Sequence, residues 1–170
     1  QSRPDYYVKV QRLNLSKGDE TGMWMLNYPF PYDSSEVGRQ FALAGRKLRE
    51  AATSPNPEFV LRFGQFIEFR DEFKQLLGSD DYAYLSFQLW QEGITRYTEL
   101  ALARLLADEY TPSDEFQSLA DYVPFREVNR QLRATTLRPL GNLVSLRESR
   151  RVAFYPFGAV EGLLLDRVNP

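Results

Sequence analysis

The chain is predicted to be all-α, and two observations carry that prediction. Phenylalanines fall at 59, 63, 66, 69 and 73, in steps of four, three, three and four, which lays one aromatic face along a helix. The long periodic stretches are also bracketed by residues that start and stop helices. With 43% hydrophobic and 14% aromatic residues, the 170-residue chain has enough apolar side chain for one buried core. The expectation is a single bundle-like domain over 1–170, with five to seven helices in 34–170 and an irregular segment over 1–33.

Within 1–33, Tyr6-Tyr7-Val8-Lys9-Val10 and Met23-Trp24-Met25-Leu26-Asn27-Tyr28 are candidates for short extended pieces. The polar, glycine-containing stretch from Asn14 to Gly22 reads as the loop between them. Pro29-Phe30-Pro31-Tyr32 breaks regular structure, and Asp33-Ser34-Ser35-Glu36 offers caps for a helix over 35–53. Ser54-Pro55-Asn56-Pro57 ends it and opens the aromatic helix over 57–77, with Asn56 as the expected cap and Pro57 in the first turn. Gly78 closes that helix, and Ser79-Asp80-Asp81 is expected to cap the next, over 80–108. There Phe87, Trp90, Ile94, Tyr97, Ala101 and Leu105 share one face. Gln88, Glu92, Arg96 and Glu99 form a polar stripe opposite, bordered by Leu85, Leu89, Ala103 and Leu106. A helix this apolar on all sides is expected to be central, with its polar stripe in a network or a cleft wall. Thr111-Pro112-Ser113-Asp114 opens a helical turn, Pro124 starts a helix to about 137, and a further segment runs past Pro139 and Gly141 to about 148. Tyr155-Pro156 leads a last helix from Phe157 to about Val168.

Composition narrows the chemistry. The chain has no Cys and no His, which excludes disulfides, thiolate metal sites and the commonest general base and metal ligand. Net charge is −2, which gives no whole-molecule attraction to nucleic acid. No stretch approaches the roughly 20 apolar residues of a membrane span, and the composition suits a periplasmic, secreted or cytoplasmic location equally. No phosphate-cradling glycine loop and no nucleophile elbow is present. Tyr97, Tyr155 and Glu161 could take acid–base roles only with shifted proton affinities.

The most telling stretch is Trp90-Gln91-Glu92-Gly93-Ile94-Thr95-Arg96-Tyr97-Thr98-Glu99. Glycine in a helix interior costs roughly 1 kcal/mol relative to alanine, so Gly93 needs a reason. The plain reading of its neighbours is an ion-pair ladder from Glu92 to Arg96 to Glu99. The functional reading makes Glu92 a metal ligand, with Gly93 allowing close approach of a neighbouring backbone. Arg96, Glu99 and Tyr97 would then orient the carboxylate from behind.

This stretch resembles the segment of gluzincin-type zinc metallopeptidases that carries their third metal ligand, in which a Glu-Gly pair follows the His-Glu-x-x-His helix. The segment Tyr155-Pro156-Phe157-Gly158-Ala159-Val160-Glu161-Gly162-Leu163-Leu164-Leu165-Asp166 is similar to a late stretch of bacterial proteins of that kind. The resemblance implies a helical, cleft-forming body acting on peptide, with Glu92 in the place of the ligand. It departs from the pattern at one decisive point: without histidine there is no His-Glu-x-x-His. No catalytic residue is therefore assigned within the chain, and zinc is expected only if an upstream ligand helix completes the site. Otherwise the chain is a relative that has lost the metal.

A second candidate is basic. Arg126, Arg130 and Arg133 share one helical face, and Arg150-Arg151 lie in a turn. The plain reading is a solvated face with local ion pairs; the alternative function is a non-enzymatic helical domain that binds an acidic partner there. No nucleic-acid-binding motif frames these arginines.

Overall fold

The computed structural model describes residues 5–141 and 145–169. It is all-α, and no strand occurs among the described residues. The helices are α1 (Tyr6–Arg12), α2 (Trp24–Asn27), α3 (Ser35–Thr53), α4 (Asn56–Leu77), α5 (Ser79–Glu109), α6 (Asp114–Gln117), α7 (Phe125–Gly141), α8 (Leu146–Ser149) and α9 (Phe154–Val168). A single 3-10 turn, Arg150–Ala153, joins α8 to α9. Helix α5 is the spine. It packs most extensively on α9, and α7 lies across both α5 and α3, while α3 and α4 form a hairpin. No helix among the described residues is long and apolar enough to cross a membrane.

The predicted boundaries of α3 match. Ser34 caps it by accepting a hydrogen bond from Val37 N (3.3 Å), as its position before an amphipathic run requires. The aromatic face of α4 is also as predicted: Phe59, Phe66 and Phe73 are buried, and Phe63 and Phe69 pack partly buried against the same core. Ser113 caps α6 through Phe116 N.

Elsewhere the structure corrects the sequence reading. The pieces of 1–33 expected to be extended are helical turns, organised by tertiary contacts. Asp19 accepts from Thr21 N and from Trp24 N (2.7 Å), which starts α2. Trp24 then stacks on Phe87, and Tyr28 stacks on Tyr84 with ring centroids 4.2 Å apart. Pro55, not Asn56, occupies the cap position of α4, and the Asn56 amide oxygen accepts from Arg167 instead. Ser79 already belongs to α5 and makes no cap; Gly78, at φ +77°, supplies the left-handed residue that lets α4 turn directly into α5. Helix α7 continues through Pro139 to Gly141, because Leu137 and Leu140 are both buried and hold the last turn against the bundle. The expected segment beyond Gly141 falls partly on residues 142–144, outside the described residues.

The faces of α5 are the most informative correction. On the expected apolar face Phe87 is buried, but Trp90, Ile94 and Leu105 are about half exposed. The buried line runs through Leu85, Gln88, Leu89, Gly93, Leu100 and Ala103. The stripe that looked polar is therefore partly the inner face, and its first member, Gln88, is fully buried.

Candidate functional site

The centre of the α5–α9 interface is a contact between two glycines. A Cβ placed on Gly93 would lie 2.5 Å from both Cα and C of Gly158, and one on Gly158 would collide with the Leu89 carbonyl. The helices cross backbone on backbone, which is the reason Gly93 interrupts a long helix. One turn further on, Gly162 is as small as it is because the Tyr97 ring lies over it, 2.7 Å from where a Cβ would stand. The Tyr97 hydroxyl donates to Asp166 Oδ1 at 2.8 Å, which closes this end of the crossing.

At the other end the crossing carries Glu92. Its side chain is only 13% exposed, and it faces the 3-10 turn rather than solvent. Arg151 Nε stands 3.5 Å from Glu92 Oε1, and the Tyr155 hydroxyl donates to the same carboxylate. That hydrogen bond, followed by burial and by the Glu92 charge, raises the Tyr155 proton affinity above the ordinary tyrosine value, against the opposing charges of Arg151 and Arg96. The carboxylate thus lies between a guanidinium and a phenol.

The residues expected to support Glu92 divide. Arg96 turns away to pair with Glu99 at 2.7 Å, and both are about half exposed. The expected ladder thus keeps its second rung, while Glu92 takes its partners from the far segment. Tyr97 serves the crossing through Asp166 and Gly162. Arg151, which the sequence places only in a basic turn, and Tyr155, which it places at the start of the last helix without a link to Glu92, are the side chains that meet Glu92. A pair about 60 residues apart in sequence has no local signal. The signals that could have found it are the small residues at 93 and 158, which mark where two helices approach.

Above this site lies a buried polar step. Gln88 Nε2 donates to the Met25 carbonyl at 2.6 Å, Tyr84 donates to the same oxygen at 3.1 Å, and the Tyr32 and Tyr84 hydroxyls stand 3.5 Å apart. Gln88 Oε1 has no donor among the described residues. Burial raises the proton affinities of Tyr84 and Tyr32, so both stay neutral donors. A second ion pair, Arg70–Glu161, bridges α4 and α9, and Arg70 Nε also donates to the Tyr82 hydroxyl at 3.0 Å.

The three arginines of the α7 face each have an intramolecular acceptor. Arg130 pairs with Glu127, which is held down to about 2 by that contact and by Gln131. Arg133 donates to the Ala52 carbonyl at 3.4 Å, and Arg126 donates to the Ala107 carbonyl at 3.5 Å. Arg150 pairs with Asp33.

As for metal binding, no three of the His, Cys, Asp and Glu side chains gather into a possible ligand set among the described residues. Glu92 is a single carboxylate already engaged by Arg151 and Tyr155. These residues by themselves do not make a metal site. In comparisons with known proteins, no family model, curated protein or solved structure matches this chain.

Proposed function

We propose that this chain is the helical, cleft-forming part of a zinc-metallopeptidase-like protein, in which Glu92 is the one carboxylate it offers toward a metal. A single observation supports the reading. The two stretches that resemble such enzymes, 90–99 and 155–166, lie far apart in sequence yet pack against each other. Gly93 meets Gly158, Tyr97 meets Gly162 and Asp166, and Glu92 meets Tyr155. Ordinary helix packing accounts for the glycines. It does not by itself call for a carboxylate at 13% exposure on the seam, where burial makes a charge costly and the pairing with Arg151 necessary.

Within this chain the roles are positional. Arg151 and Tyr155 orient Glu92, and the glycine crossing holds α5 rigidly behind it. No step is derived through a metal, because the described residues supply one carboxylate and no more. The reading requires a His-Glu-x-x-His helix supplied from outside them. Elemental analysis of the longest native product containing these residues tests it. The expected result is one zinc per molecule, lost in Glu92→Ala while helix content is unchanged. A native product without zinc, or one whose zinc ignores that substitution, overturns it.

A further inference from the structure

A cavity of about 580 Å³ opens to solvent between α3, α7 and the start of α9. That volume is in the range of small-molecule sites, roughly 300–1,000 Å³. Its walls are apolar: Phe41 and Ala42 from α3, Leu132 and Leu140 from α7, and Val152 and Pro156 from the last turn and α9. Val152 is 68% exposed, an apolar side chain left uncovered at the cavity.

Charge narrows the ligand. Among the described residues lining the cavity, Arg96 is the only charged one, and no carboxylate lines it. Arg96 is half exposed, and its partner, Glu99, lies on the same helix at 2.7 Å. An exposed pair of this kind is weak, so its guanidinium is available to a second carboxylate at little cost. Arg133 and Arg151, by contrast, are turned to Ala52 and Glu92. The hydroxyls of Thr135 and Thr136 donate to helix carbonyls behind them and present only acceptor capacity to the cavity.

We propose that this cavity binds an amphipathic monocarboxylate, its aliphatic or aryl body between α3 and α7 and its carboxylate on Arg96. The cavity shares Tyr155 with the Glu92 site, but Glu92 does not line it and the proposal does not rest on the metal reading. Apolar burial supplies affinity and the guanidinium supplies orientation and charge selection.

Calorimetric titration of the full chain with decanoate, below its micellar range, tests the proposal beside decanol and decyltrimethylammonium. Decanoate is expected to bind once per chain and about tenfold or more tighter than the other two. Arg96→Gln should erase that preference. Glu99→Gln should tighten decanoate several-fold by releasing Arg96, a gain that a merely structural role for the pair would not produce. Ala42→Phe, which fills the cavity, should abolish binding. Amide chemical-shift changes on titration should centre on Ala42, Thr136 and Val152, a readout that needs no variant to fold. No saturable binding, equal affinity for decanol, or shift changes centred elsewhere would overturn the proposal.

Discussion

Gly93 and Gly158 touch through their backbones, and the longest helix of the protein is positioned by that contact. The site depends on it, because Glu92 is adjacent to the first glycine, and Tyr155 lies one helical turn before the second.

Gly93→Ala should therefore destabilise the protein by about 1–3 kcal/mol in denaturant unfolding, despite alanine's better helix propensity, because the new methyl meets backbone that cannot rotate away. Gly64→Ala provides the contrast. A Cβ there meets nothing within 4 Å. That change should stabilise α4 by about 0.5–1 kcal/mol. Equal effects at the two positions would mean that the helices do not cross as described.

Arg167 ties the end of the chain to the end of α3. Its guanidinium donates to the carbonyls of Ala51 (3.0 Å) and Ser54 (3.1 Å) and lies over the Phe59 ring at 3.9 Å. These are carbonyls that a helix terminus leaves without partners. Arg167→Met should cost about 2 kcal/mol, read as a lower denaturation midpoint. Arg167→Lys should recover little of it, since an ammonium cannot reach several acceptors in one plane.

Gln88→Met should be nearly neutral, within about 1 kcal/mol. The substitution removes the bond to Met25 O, but also a buried amide oxygen without a donor, and Tyr84 continues to satisfy that carbonyl. A loss well beyond that in thermal unfolding would show that Gln88 Oε1 has a partner in solution.

The sequence made most of this fold legible, and the reasons it fell short are specific. Helices α3 and α4 announce themselves because periodicity and caps agree there. Helix α5 was found, but its orientation was not. Trp90 and Ile94 look like core residues, yet the inner face follows the line through Leu89, Gly93 and Leu100, which the backbone contact at Gly93 turns toward α9. Helices α1 and α2 are too short to carry a periodic signal; Tyr6 ties α1 to Gln91 and Trp90, and Asp19, Trp24 and Tyr28 tie down α2. The place of Glu92 beside a helix crossing is visible from its glycine neighbour. Its partners are not, since Arg151 and Tyr155 come from a segment whose position only the crossing determines.

Alkaline pH should lower the stability of the folded protein. Burial or hydrogen bonding raises the proton affinity of Tyr6, Tyr28, Tyr32, Tyr84, Tyr97 and Tyr155 in the folded state. A raised folded value means that the folded state holds these protons more tightly. The stabilisation is then whole below the unfolded value of about 10 and is lost as pH rises through the folded values. The urea denaturation midpoint should fall as pH rises above that value. A midpoint that stays level across that range would place these tyrosines in solvent.

The most direct test of the site is the titration of Tyr155, followed by NMR with its ring carbons labelled, in the native chain and in Glu92→Gln. Tyr155 should titrate above the ordinary tyrosine value, and its midpoint should fall in Glu92→Gln, where the carboxylate charge is gone but Arg151 remains. Tyr97, whose partner is Asp166, should keep its midpoint. A Tyr155 that titrates at the ordinary value and ignores the change at Glu92 would contradict the assembly of α5 and α9 into one site.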